Sequence, residues 1–243
     1  MNRGAAAFSS AVFLITILGA ATPAHAQWYF VGFLGANRTA PANVDINVPA
    51  SNVALTFQQV EFDARPFESP QYYGWRLGRI AGTKRGFGVE AEFIHLKVIG
   101  LTNQRYATTG TSGSAPFTSG DPMTRIVDRY AMTHGLNFLV ANAVFRQPLG
   151  SGRAAFIARV GAGITIPHTE TTVLGGAVDQ YEYGGAGLHA AIGLDVQLRG
   201  RLSFVTEYKL TRARPEISIA NGAGVTTAVT HHLAFGLAFG LSR

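Results

Sequence analysis

From Leu233 to Leu241 the chain alternates strictly. Leu233, Phe235, Leu237, Phe239 and Leu241 are bulky and apolar, and every residue between them is Ala or Gly. A period of two sends successive side chains to opposite faces of a strand. The same apolar face recurs in Leu188, Ala190, Ile192, Leu194, Val196 and Leu198, set between His189, Gly193, Asp195 and Gln197. Phe204, Tyr208 and Leu210 alternate with Ser203, Glu207 and Lys209, and Phe156, Ala158, Val160 and Ala162 alternate with Arg159 and Gly161. A soluble sheet normally keeps its polar residues on the face away from the core. Here the charges would sit on the enclosed side and the hydrocarbon on the open one, which predicts strands that face lipid outwards and line a lumen inwards.

Eight segments carry this pattern, near 27–38, 70–82, 86–99, 130–147, 154–167, 183–198, 201–213 and 227–241. The connections after the second, fourth and sixth are short, at Gly82–Arg85, Pro148–Gly152 and Arg199–Arg201. Those after the first, third, fifth and seventh are longer and rich in Thr, Gly, Ser and Asn, and 39–69 is long enough to hold its own hairpin around Val53 to Phe62. Short turns on one side and long loops on the other predict an all-β fold, an eight-stranded antiparallel up-and-down transmembrane β-barrel. Side chains fill the interior of so small a barrel, which argues against a porin.

The N-terminus supplies the compartment. Met1-Asn2-Arg3, the apolar stretch Ala5–Ala21 and the Ala24-His25-Ala26 pattern predict a signal peptide over 1–26 and a mature barrel domain over 27–243. No later segment reaches the roughly 18 apolar residues of a spanning helix. Only a closed barrel then crosses a bilayer. The expected location is the outer membrane of a Gram-negative envelope, reached through the barrel-assembly machinery, with the protein a monomer. Charged residues make up only 14% of the chain, against about 25% in soluble domains. The net charge of +6 is scattered, with no basic helix or stripe to suggest nucleic acid, so lipid phosphates are the natural counter-charge. The absence of cysteine rules out disulfides and thiolate metal sites.

Two groups of side chains could carry chemistry. His95, His134 and His168 fall at the outer ends of the third, fourth and fifth strands, with Glu92 and Glu170 the nearest carboxylates. A His-plus-carboxylate set with open positions suits non-haem iron or another first-row metal. Against it, Glu92 and His95 are three apart and face opposite sides of a strand, and Pro167 interrupts the approach to His168. Rim histidines bonded to loop backbone are the plainer reading. The second group is Arg76, Glu90, Glu92, Arg159, Asp195, Glu207 and Lys209, all placed in the lumen by the alternation. Buried charges need partners, so a neutralising network that fills the barrel is expected, with a buried acid or base as the sharper alternative. Trp28, Tyr29, Tyr72, Tyr73, Trp75, Tyr130, Tyr181 and Tyr183 near strand ends read as interfacial girdles.

Several of these segments are similar to a known family. Phe67-Glu68-Ser69-Pro70-Gln71-Tyr72-Tyr73-Gly74-Trp75-Arg76, Phe87-Gly88-Val89-Glu90, His95-x-Lys97-Val98, His134-Gly135-Leu136-Asn137, Asn142-Ala143-Val144-Phe145-Arg146, Pro167-His168-x-Glu170 and Glu207-Tyr208-Lys209 resemble the outer-membrane lipid A oxidases of rhizobia. The resemblance runs in order over strands two to seven. It implies oxidation of the proximal glucosamine of lipid A to an aminogluconate with dioxygen, and it lands on His95, His134, His168 and Glu170. The expectation is a rim metal such as iron on His95, His134 and His168, with Glu92 or Glu170 as a further ligand or base. Arg105, Arg125, Arg129, Arg212 and Arg214 would bind lipid phosphates. The alternative is a non-enzymatic structural or surface-interaction barrel of the outer-membrane protein A type, for which the histidines would scatter over different faces.

Overall fold

The computed structural model describes residues 27–81 and 85–241; the expected signal peptide, positions 82–84 of the second turn and Ser242-Arg243 lie outside them. Seventeen strands form among the described residues. They are β1 (Gln27–Thr39), β2 (Ala42–Val48), β3 (Val53–Val60), β4 (Phe62–Asp63), β5 (Tyr73–Ile80), β6 (Gly86–His95), β7 (Val98–Gly100), β8 (Thr108–Ser112) and β9 (Val127–Met132). Then follow β10 (Leu136–Leu149), β11 (Ala154–Val173), β12 (Gly176–Tyr181), β13 (Ala186–Arg199), β14 (Leu202–Ala213), β15 (Glu216–Ile219), β16 (Gly222–Thr226) and β17 (Ala228–Gly240).

Eight of these close on themselves. The antiparallel order β1, β5, β6, β10, β11, β13, β14, β17 returns to β1, so no edge is left in the membrane. The pairings fix the stagger. From Tyr29 the partners run through Gly78, Glu90, Asn142, Gly161, His189, Thr211 and Thr230 and come back to β1 at Thr39, ten residues further on. Such a stagger tilts the strands by about 40°. Each residue along a strand then gains roughly 2.5 Å of height.

The predicted alternation holds along the wall. Leu188, Ile192, Leu194, Leu233, Phe235, Leu237, Phe239, Phe204 and Val160 point outward and are exposed, while Arg76, Glu90, Glu92, Arg159, His189, Glu207, Lys209 and His232 point inward and are buried. An apolar belt around a closed barrel is a lipid-facing surface. Inside it, Arg76 bonds Glu207 with both terminal nitrogens, Arg159 bridges Glu207 to Glu90 (Nε to Oε2, 2.6 Å), and Lys209 pairs with Glu92 while lying 3.3 Å from Glu207. Three cations thus meet three carboxylates. Asn142 ties Glu92 (2.8 Å) to His189 (2.9 Å), and Tyr29 donates to Glu90. Asp195, expected in this network, lines a periplasm-side cavity of about 520 Å³ instead and makes no ion pair among the described residues. Its position near the end of β13, below the level of Glu90, keeps it out of reach.

The long outer connections are not simple loops. Segment 39–69 does hold a hairpin, but it is β2 and β3 turning at Pro49–Ser51, ahead of the expected Val53 to Phe62, where β3 runs as one strand. It belongs to a five-stranded sheet in the order β15, β16, β2, β3, β8. β11 continues some six residues past its barrel partners and there pairs with β12 and β9, which leads on to β7 and β4. Val44, Ile46, Val53, Leu55 and Phe57 of one sheet and Val127, Tyr130, Met132 and Val173 of the other are buried in one apolar cluster, and Thr171 reaches across to the Ser218 carbonyl (3.0 Å). The outer loops therefore build a β-sandwich that stands on the barrel. Its core supplies the burial that the polar lumen cannot.

Candidate functional site

Along β11 the even residues face out. Ile164 and Ile166 are the last lipid-exposed members of the row, and His168 and Glu170 continue it upward. His168 stands roughly 10 Å above Ile164, at headgroup height. The turn between β9 and β10 brings Thr133 and His134 against the same face.

Three ligand atoms converge there. The oxygen and nitrogen donors of His134, His168 and Glu170 lie within 4.8 Å of one another. Glu170 Oε1 is 3.1 Å from His134 Nδ1 and 3.5 Å from His168 Nδ1, and the two rings meet edge to face at 4.7 Å. His168 Nδ1 is buried without a hydrogen-bond partner, aimed at the point the other two share. Its other nitrogen, Nε2, is 3.2 Å from Asp179 Oδ1, brought opposite by the β11–β12 hairpin. Tyr181 packs edge-on against the ring at 4.3 Å. One imidazole nitrogen held by a carboxylate and the other pointing at a shared vertex is the usual arrangement of a metal-ligating histidine.

Glu170 is held as a carboxylate. Burial pushes its pKa up, but hydrogen bonds from Thr133, Arg129 and His134, with the charge of Arg129, outweigh that and leave it at about 2. His134 stays more than half exposed (58%), so the vertex is open towards solvent and headgroups. Two imidazoles, one carboxylate and open positions make the donor set that non-haem iron and related first-row metals prefer.

Other expected members fall elsewhere. Glu92 is in the lumen against Lys209 and Asn142, because its parity on β6 turns it inward. His95 has the outward parity but is covered: its Nδ1 is 2.8 Å from Asn137 Oδ1 and Tyr73 stacks on it at 4.9 Å. It is a neighbour of the trio, not part of it. The five arginines form no single patch. Arg105 bonds the Gly120 carbonyl, and Arg125 lies in a short 3-10 turn of the same outer loop. Arg129 grips Glu170, Arg214 approaches Asp45 at 3.9 Å, and Arg212 lies on the outer wall of β14. Arg212 is fixed by the barrel, and the other four sit on outer elements whose relative positions only the sandwich fold fixes. The sequence reading missed Asp179 and Thr133. The turn signal Leu174-Gly175-Gly176, with positive φ at Leu174 and Gly175, would have placed Asp179 opposite Glu170.

Gly135 locks the turn. Its φ is +109°, its carbonyl accepts the His168 amide at 2.8 Å, and a Cβ there would come within 2.5 Å of His95 Nδ1 and Asn137 Oδ1. Gly135→Ala is expected to cost about 1–3 kcal/mol through backbone strain. The lower urea midpoint should come with a looser grip on metal, since His134 and His168 both hang from this turn; a variant as stable as the parent would show that the turn yields freely.

No family model matches the chain, and no curated protein matches it. Among solved structures it is similar to the outer membrane protease OmpT of Escherichia coli (8% identity, 90% of this chain and 97% of that one, TM-score 0.46). It is also similar to Neisserial surface protein A (9%, 87% and 96%, TM-score 0.40) and to the outer membrane protein OprG of Pseudomonas aeruginosa (11%, 88% and 94%, TM-score 0.35). At this distance the likeness is one of fold. The closed register and apolar belt described above make the chain an outer-membrane β-barrel.

Proposed function

We propose that this barrel is a lipid-modifying enzyme of the outer leaflet, oxidising the glucosamine of lipid A at a metal site formed by His134, His168 and Glu170. The observation that carries the reading is the place of the trio: on the outside wall, directly above the last lipid-facing residues of β11. A headgroup meets that face without its chains leaving the membrane. A first-row metal such as iron would supply dioxygen chemistry there. The chain's own residues do the rest. Arg129 and Thr133 keep Glu170 ionised and fixed, Asp179 sets the ring orientation of His168, and the exposed edge of His134 leaves room for the sugar. The exposed guanidinium of Arg129 is placed to meet a headgroup phosphate beside the site.

A second reading has its own support. The sandwich carries an ordered apolar core above the membrane, as a surface that displays its loops to outside partners would need. Mass spectrometry of lipid A from aerobically grown cells, with and without the gene, separates the two. A species that gains one oxygen only with the gene present is expected. An identical profile in cells where the barrel is folded would overturn the enzyme reading and leave the display surface.

A further inference from the structure

We propose that Arg38, His231 and Arg212 form a second headgroup site on the barrel wall, which holds the phosphate of an outer-leaflet lipid. This deepens the reading above, because it assumes a lipid substrate drawn from the leaflet, but it uses none of the metal-site residues. The three residues lie on adjacent strands and all face out. Arg38 on β1 is the direct partner of His231 on β17, and Arg212 on β14 is the partner of Val229, one outward position from His231. Partners across a ladder are roughly 5 Å apart and diagonal ones about 7–8 Å. Ten residues of stagger over eight strands move the level line by little more than one residue per strand. The three therefore share one height to within about one residue, that of Ile164 on β11 and roughly 10 Å below His168, so the long arginine side chains must reach upward to meet a headgroup phosphate drawn down to them.

Below them the wall is apolar: Leu34 under Arg38, Leu233 and Phe235 under His231, and Leu210 under Arg212, all exposed. Two guanidiniums thus stand at the upper edge of the lipid belt. Neither has a carboxylate partner among the described residues, whereas Arg76, Arg159 and Lys209 in the lumen each have one. A cation on a lipid-facing wall is retained where an anion meets it. His231 is also held in place. Its Nδ1 is 2.5 Å from the Tyr208 hydroxyl on β14. With that hydroxyl donating, the ring carries its proton on Nε2, the nitrogen left free for a ligand. Two planar donors flanking an oriented N–H fit a tetrahedral anion, and the apolar belt beneath fits the acyl chains of the molecule that bears it.

The test is lipid retention by the refolded full barrel in a non-ionic detergent, read by native mass spectrometry. The probes are diphosphoryl lipid A, the same lipid after phosphatase treatment, and inorganic phosphate. Wild type is expected to keep the phosphorylated lipid, to lose it about tenfold in the Arg38→Ala/Arg212→Ala double variant, and to ignore the dephosphorylated lipid. Both positions face outward, so the lumen network is untouched, and heat-modifiable mobility on gels confirms the fold. Equal retention by wild type and variant, or equal retention of the dephosphorylated lipid, would reduce the row to an ordinary girdle and overturn the proposal. Displacement by inorganic phosphate would make it a soluble-anion site and overturn the lipid assignment. Metal affinity, expected to be the same in the double variant, keeps this outcome separate from that of the metal site.

Discussion

Replacing Glu207 alone is expected to cost about 3–5 kcal/mol, the penalty for leaving a buried charge without its partner. Glu207 is the hinge of the lumen network: Arg76 spends both terminal nitrogens on it, Arg159 one, and Lys209 lies within 3.3 Å. Glu207→Leu leaves three cations facing two carboxylates. The compensating change is readable from the same contacts. If Arg76→Met is added, Arg159 keeps Glu90 and Lys209 keeps Glu92, and the remaining charges balance pair by pair. The double variant should therefore recover most of the loss, because a whole ion pair exchanged for apolar side chains is often neutral. Urea unfolding in vesicles of both single variants and the double variant closes the cycle. Additive losses would show that the lumen charges act independently.

The other large effect belongs to the rim. His168→Ala removes a ligand and should reduce iron(II) or zinc affinity by about 100-fold or more, whereas Asp179→Ala, one shell out, should cost roughly 10-fold. Glu170→Gln keeps the shape and loses the charge, and should fall with His168→Ala. Calorimetric titration of the refolded barrel with each metal gives the ranking. If all three variants bind as the parent does, the trio is a hydrogen-bonded rim cluster around Glu170, and the oxidation reading loses its centre.

Much of this was legible in the chain, for a local reason. Period two is a property of each strand taken singly, so the eight barrel strands and the inward set Arg76, Glu90, Arg159, Glu207 and Lys209 could be read without knowing which strand neighbours which. The same parity separates Glu92 from His95 and joins His168 to Glu170. His134 escaped it, because it sits in a turn where alternation has no meaning. The sandwich was hidden differently. Val44, Ile46 and Val48 alternate as plainly as any barrel strand, but β2 pairs with β16, far along the chain, and nothing local announces that partner. Without it Arg105, Arg125, Arg129 and Arg214 had no fixed positions, and a set chosen for its chemistry spread over the outer elements, with Arg212 alone on the barrel wall.

The outward face of β11 also decides how a substrate would be found. A site inside a lumen or on top of the sandwich is reached from solution, and its rate follows molar concentration. His168 and Glu170, on the wall above Ile166, are met sideways, by molecules already in the leaflet. The search is two-dimensional. Turnover at such a wall tracks the mole fraction of the target among its neighbours and the fluidity of the leaflet, and diluting the whole preparation in buffer leaves it unchanged.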